Sequence, residues 1–208
     1  MYKDINMELT EGSSLDVYER LLNCEDSVGI MTKVIDDPNL CLIPLFREKV
    51  VLVSAPSYHL AKRKSIRFRE LINEPIILKE IGSGIRKLID DCFGNEKDKL
   101  NVIVEANNLD LIKEMVKLGD GVSFLVKGAI TKELIARELS IIAIKDQKLF
   151  LNMYLAYMLN NPLSSTAKLF IEFMKSFSFV ANIPPLAPPP ISRIAQRVSA
   201  SDTVKIII

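Results

Sequence analysis

Glu74 to Phe93 reads EPIILKEIGSGIRKLIDDCF, and the fold turns on how its two halves join. Behind Pro75, Ile76-Ile77-Leu78 is a short apolar run of the kind that forms a buried strand. After Gly82-Ser83-Gly84 the pattern changes period. Ile85, Leu88, Ile89, Cys92 and Phe93 fall at i, i+3, i+4, i+7 and i+8, one apolar helix face. A strand that runs through a glycine turn straight into a helix is the building block of an α/β domain. It is also the setting of an anion site. Free amides and the positive end of the helix dipole meet there, and glycine lets a ligand come close to the backbone. Ser83 adds a hydroxyl, and Arg86 can reach a carboxylate at the same mouth. A plainer reading fits Ser83 equally well, as the cap of the helix, and Arg86 reads more simply as a solvated first-turn residue. The local pattern leaves both open. It is neither GxGxxG nor GxxxxGK[ST], so nucleotide binding is not indicated.

Working outward, strand and helix patterns alternate through most of the chain. INMELTEG alternates apolar and polar residues and reads as a strand. GSSLDVYERLL carries a capping box, Ser13 with Asp16, and an apolar face of Leu15, Tyr18, Leu21 and Leu22. DSVGIMT reads as a buried strand, and residues 40–46 and 49–55 as two extended segments rich in branched residues. NVIVEA is a strand, and NNLDLIKEMVKLG a helix with Asn107 or Asn108 as cap and Gly119 at its end. GVSFLV, TKELIARELS, IIAI and KLFLNMYLAYML read as strand, helix, strand and a long extended segment. SSTAKLFIEFMKSF is a helix burying Ala167, Phe170, Ile171, Met174 and Phe177. This alternation predicts parallel sheets flanked by helices. Ligands in such sheets settle at the carboxyl ends of strands. That directs attention to the stretches after Lys79 and Glu105 and to Thr32. Taken singly, Thr32 suits a turn, Ser123 a strand serine bonded to nearby backbone, and Asn107 a cap.

Composition narrows the classes. Lys plus Arg number 27 against 26 Asp plus Glu, so no broad basic face is available for nucleic acid. Cys24, Cys41 and Cys92 show no metal-ligand spacing and no disulfide framework. No secretion signal opens the sequence and no apolar run is long enough to cross a bilayer, so a cytoplasmic location is expected. His59 is the single histidine, and no hydrolase or metalloprotease motif surrounds any serine or histidine. The expectation is a protein that is not an enzyme and uses no cofactor. Beyond Phe177, five of the ten prolines lie in a stretch without period until its last residues, which reads as a disordered tail over 179–208.

Several phrases, in order, carry a resemblance that covers about residues 2–177. LLNCEDSVGIMT looks like a segment ending in D-x-G-I. LIPLFREKVVLVSAPSYHLAKRKSIRFREL looks like P-L-x-x-[DE]-x-[LV]-V-x-V-x-P-x-x-H-P-L-A, with Leu60 where a proline is usual. EPIILKEIGSGIRKLIDDCF matches E-P-x-I-x-x-x-x-G-S-G-x-R, and NNLDLIKEMVKLGDGVSFL matches I-K-x-x-V-x-x-G-x-G-[IV]-[AS]-x-L. Together they resemble the effector-binding domain of LysR-type transcriptional regulators. The resemblance implies an α/β fold like a type 2 periplasmic binding protein, with two lobes joined by two crossing strands and a small effector in the cleft. Lobe I would hold 1–48 and 150–178, and lobe II 49–149. It places Gly82, Ser83 and Gly84 on the lobe II contact loop and Thr32 on the lobe I strand end, with Arg86, Asn107 and Ser123 as further candidates. The effector would be a small anion, and the domain would pair as a homodimer or with a full-length relative.

Two features depart from the family. The DNA-reading helix-turn-helix is not in this sequence, so direct DNA binding by this chain alone is not expected. The strand and helix that precede the counterpart of INMELTEG are also missing. In the family that strand lies between those represented by INMELT and VGIMT, so lobe I is expected to be incomplete, with bare ladder groups. A truncated or split regulator begun at an internal Met1 is the corresponding expectation. The alternatives are a solute-binding protein of a transporter, which shares the fold, and an enzyme such as prephenate dehydratase, whose Thr-Arg catalytic phrase GSGIRK does not reproduce.

Overall fold

The computed structural model describes residues 6–176 and 203–208. In chain order its elements are β1 (Asn6–Thr10), α1 (Ser14–Leu22), β2 (Val28–Thr32), β3 (Leu40–Ser54), β4 (Ile76–Lys79), α2 (Gly84–Phe93) and β5 (Val102–Ala106). Then follow α3 (Leu109–Leu118), β6 (Val122–Val126), α4 (Thr131–Ile135), β7 (Ser140–Ile142), β8 (Leu149–Met158), α5 (Ser165–Ser176) and β9 (Thr203–Ile207). Two compact units divide the chain. Unit 1 is Met1–Arg47 with Asn152–Ile208, and unit 2 is Glu48–Leu151. β3 and β8 each run from one unit into the other. The two extended segments expected at 40–46 and 49–55 form one 15-residue strand, Leu40–Ser54, with Arg47-Glu48 inside it rather than in a turn.

In unit 2 the sheet order is β3-β6-β4-β5, with β7 also on β3. β4 is parallel to both β5 and β6, while β3 is antiparallel to β6 and β7, so the sheet is mixed rather than wholly parallel. α2 buries Ile85, Ile89 and Phe93 in a core with Leu52, Ile76, Leu78 and Phe124, and Leu88 and Cys92 pack against it. α3 buries Ile112 and Val116 on the other cluster, with Val53, Ile77 and Leu125. Gly121 is dictated by a close approach, since a Cβ there would stand 2.4 Å from the Pro75 carbonyl oxygen. The helix expected over TKELIARELS stops at Ile135, because Arg137 takes a positive φ of 59° and turns the chain toward β7.

In unit 1 the order is β1-β9-β2-β8. α1 is capped as its sequence promised: Ser13 Oγ accepts from the Asp16 amide at 3.2 Å, and Asp16 Oδ2 accepts from the Ser13 amide at 2.8 Å. Its buried face is carried by Val17 and Leu21, whereas Leu22 is exposed. Gly29 lets that helix lie on the sheet, since a Cβ there would meet Val17 Cγ1 at 2.4 Å. α5 buries Ala167 and Ile171, with Phe170 and Met174 packed beside them; Phe177 lies outside the described residues.

One expectation is overturned. β1 and β2 do not face each other with bare ladders, because residues 203–207 lie between them, parallel to both. They fall within the stretch 179–208 expected as a disordered tail and form a strand instead; the rest of that stretch, 179–202, is outside the described residues. The physical reason is that unpaired amides and carbonyls between two strands are costly, and Thr-Val-Lys-Ile-Ile has the β-branched composition of a strand that can satisfy them.

Candidate functional site

The carboxyl end of β4 is tied to that of β5. Lys79 is opposite Ala106, the Glu80 amide donates to the Ala106 carbonyl at 3.2 Å, and the Lys79 ammonium donates to the Asn107 carbonyl. The chain then reverses. The Ser83 amide donates to the Glu80 carbonyl at 3.2 Å, closing a turn in which Gly82 sits at φ +96°. That third position of a type II turn demands a positive φ, so Gly82 is fixed by backbone geometry. α2 begins at once, its first helical bond running from the Lys87 amide to the Ser83 carbonyl at 3.0 Å. The amides of Gly84, Ile85 and Arg86 therefore have no acceptor inside the helix.

Ser83 is the N-cap residue and is buried at 5% exposure, yet its hydroxyl makes no capping bond. The other two long helices with a described cap behave differently. Ser13 is spent on α1, and Asn108 Oδ1 accepts from the Leu111 amide at 2.9 Å at the start of α3. α2 thus presents free amides and an uncommitted, nearly buried hydroxyl together. The charges nearby are mixed. Glu80 Oε2 is buried without a hydrogen-bond partner, 3.6 Å from the Lys79 ammonium.

Arg86 is otherwise engaged. Its Nη1 donates to Glu105 at 2.6 Å and its Nε to Asp90 at 3.1 Å, fastening α2 to β5. Burial pulls its pKa down, but the Glu105 and Asp90 carboxylates outweigh that and leave it raised. Asn107 is exposed beside this turn, held through its carbonyl, while Asn108 is the cap. Ser123 is not brought to the same end: it pairs with Ile77, two positions before Lys79, and is fully buried with an unpartnered hydroxyl.

In unit 1, Thr32 is the last residue of β2, buried at 7% exposure. Its amide donates to Ser14 Oγ at 3.1 Å, and the two hydroxyls are 3.0 Å apart. Ser14 was not singled out from the sequence. The doubled serine in GSS was the available signal, one for the cap and one for the neighbouring strand. A separate depression of about 540 Å³ in unit 1 is lined by Glu11, Asp16, Glu19 and Glu25 with Arg20, a negative wall that would repel an anion. Among the described residues there is no group of three or more His, Cys, Asp or Glu that could hold a metal ion, and no helix is long and apolar enough to cross a membrane.

The family model for the LysR substrate binding domain matches residues 1–178. The chain belongs to this family. Among curated LysR-type relatives it is 27% identical over 173 residues to the HTH-type transcriptional activator CmpR of Synechocystis, covering 83% of this chain and 57% of that protein. It is 29% identical over 180 residues to the HTH-type transcriptional regulator CysL of Bacillus subtilis, covering 85% and 59%. The chain therefore spans less than two thirds of these regulators. The effector binding domain of QuiR in complex with shikimate superposes with a TM-score of 0.71 at 23% identity, over 80% of this chain and 78% of that one. The regulatory domain of Synechocystis CcmR in complex with 2-PG gives 0.72 at 19%, over 84% and 97%. These LysR domains share the α/β, periplasmic-binding-protein-like fold.

Proposed function

We propose that this chain is the effector-sensing part of a LysR-type regulator, and that the turn at Gly82-Ser83-Gly84 takes the negatively charged end of a small molecule. The observation that carries this is Ser83: a helix-cap serine, nearly buried, whose hydroxyl is not used by its own helix. Together with the free amides of Gly84, Ile85 and Arg86 it offers a carboxylate or similar oxyanion several donors at the positive end of a helix. Lys79 offsets the neighbouring Glu80, so selectivity here rests on directed donors rather than net positive charge. Shikimate, the ligand of the QuiR domain, carries a carboxylate, which fits that chemistry. Asn107 is a secondary contact in this reading. The Arg86 side chain, held by Asp90 and Glu105, orders α2 and does not meet the ligand. The sensing output passes to a DNA-binding part of a regulator, through pairing of effector domains as homodimers or with a full-length relative.

The test is a thermal-shift screen of small carboxylates, sulfate and phosphate on the chain and on Ser83→Ala. A true effector stabilises the parent with the logarithm of its concentration, by about 2.7 kcal/mol at a hundred times Kd. Because the Ser83 hydroxyl caps nothing, the variant keeps its unliganded melting temperature and loses most of the ligand shift. Equal shifts in both proteins, or none across the screen, would refute the reading.

A further inference from the structure

β9 is held in unit 1 by main-chain pairing on both of its edges and by the burial of three side chains. On one side Asn6 to Thr10 pair with Thr203 to Ile207, and on the other Val28 and Gly29 pair with Ile206 and Ile207. Three further main-chain bonds close the ladder: the Ser27 amide to the Lys205 carbonyl at 3.0 Å, the Gly12 amide to the Ile208 carbonyl at 2.9 Å, and the Ile208 amide to the Thr10 carbonyl at 3.0 Å. Val204, Ile206 and Ile207 are each buried at 1% exposure. Ile207 sits in the apolar cluster with Val17, Leu21 and Met31 under α1. Lys205 is exposed, and its ammonium, 3.7 Å from Glu8, is a solvated surface pair.

β9 follows α5 only after residues 177–202, so the strand is not placed by a tight turn. Its register comes from the groove itself. β1 has no other strand partner among the described residues. An empty groove would leave two parallel strands with open ladder groups a strand's width apart, the arrangement that captures an extended chain from elsewhere.

We propose that the groove between β1 and β2 is a strand-binding site whose ligand is the Thr203–Ile208 segment, and that it accepts this segment in trans from a second copy of the chain. The contacts are the same whichever copy supplies the strand, which is the condition for exchange. The tether favours the chain's own segment at low concentration, and the exchanged form gains as concentration rises.

The experiment places a specific protease sequence between Pro190 and Ile191 of the full chain, folds the protein, and then cuts it. A fluorescent peptide, Ser201 to Ile208, is added to cut and uncut protein and followed by anisotropy. Expected is saturable binding to the cut protein with displacement of the released segment, weak uptake by the uncut protein, and binding at least a hundredfold weaker for a peptide carrying Val204→Asp and Ile206→Asp. Hydrogen exchange of the β1 amides should fall and recover with occupancy. If cutting unfolds unit 1, refolding with the parent peptide but not the Asp peptide supports the site. Equal binding of both peptides, or no binding and no rescue while unit 2 stays folded, overturns it.

Discussion

The parallel strands of unit 2 lie in one stretch of sequence, Ile76 to Val126, whereas the parallel strands of unit 1 include residues from opposite ends of the chain. Between Ile76 and Val126, β4 and β5 are each followed by a helix that packs into the core, α2 and α3, and β4 pairs with both β5 and β6. In unit 1, Asn6 stands opposite Thr203, and β1 depends on that pairing. Pairing that joins distant segments must close a long loop before its contacts form, so it is the less robust design and the harder one to anticipate. The comparison teaches that two halves of similar fold can differ in how much of their stability is local.

Backbone obstruction should separate the units most sharply. Gly121→Ala in unit 2 drives a methyl onto the Pro75 carbonyl oxygen, which already accepts the Val122 amide at 2.9 Å and so cannot move away. Destabilisation at or above the top of the usual overpacking range, about 3 kcal/mol, is expected in urea unfolding. Gly29→Ala in unit 1 meets a side chain instead, Val17 on α1, which can shift with its helix. About 1–2 kcal/mol is expected there, with hydrogen exchange rising in α1 and β2 and unchanged in α3. A larger loss at Gly29 than at Gly121 would show that unit 1 is the more tightly packed half, against the comparison.

Caps should give the smallest effect and the finest test. Ser13→Ala removes one side of a reciprocal capping box, and Asn108→Ala removes a single acceptor. Each should cost about 1 kcal/mol, measured by thermal unfolding, with helix-start amides of α1 or α3 exchanging faster. Ser83→Ala should cost clearly less than either, because that hydroxyl caps nothing.

Much of this was legible from local pattern. The apolar face of α2, the Ser13–Asp16 box and the glycine turn before Ser83 all follow from spacing and backbone preference, which act over a few residues. The α1 face was only half legible: Val17 is core and Leu22 is exposed, because helix periodicity gives an angle but not which side the sheet lies on. Arg86 could not be resolved between ligand contact and solvated residue, since its partners Asp90 and Glu105 come from two elements. Ser123 has the composition of a site residue but the wrong level in its strand, which only the register with Ile77 reveals.

The sequence by itself determined the alternation of strands and helices, the turn that starts α2 and the family to which the chain is similar, because propensity, capping and periodicity are properties of neighbouring residues. Only the tertiary structure decided that Thr203 to Ile207 complete the sheet of unit 1, that Thr32 is bonded to Ser14, and that the Ser83 hydroxyl is left over. Those facts depend on which groups find partners across the fold, and a hydrogen bond between distant residues leaves no mark on the local pattern of either.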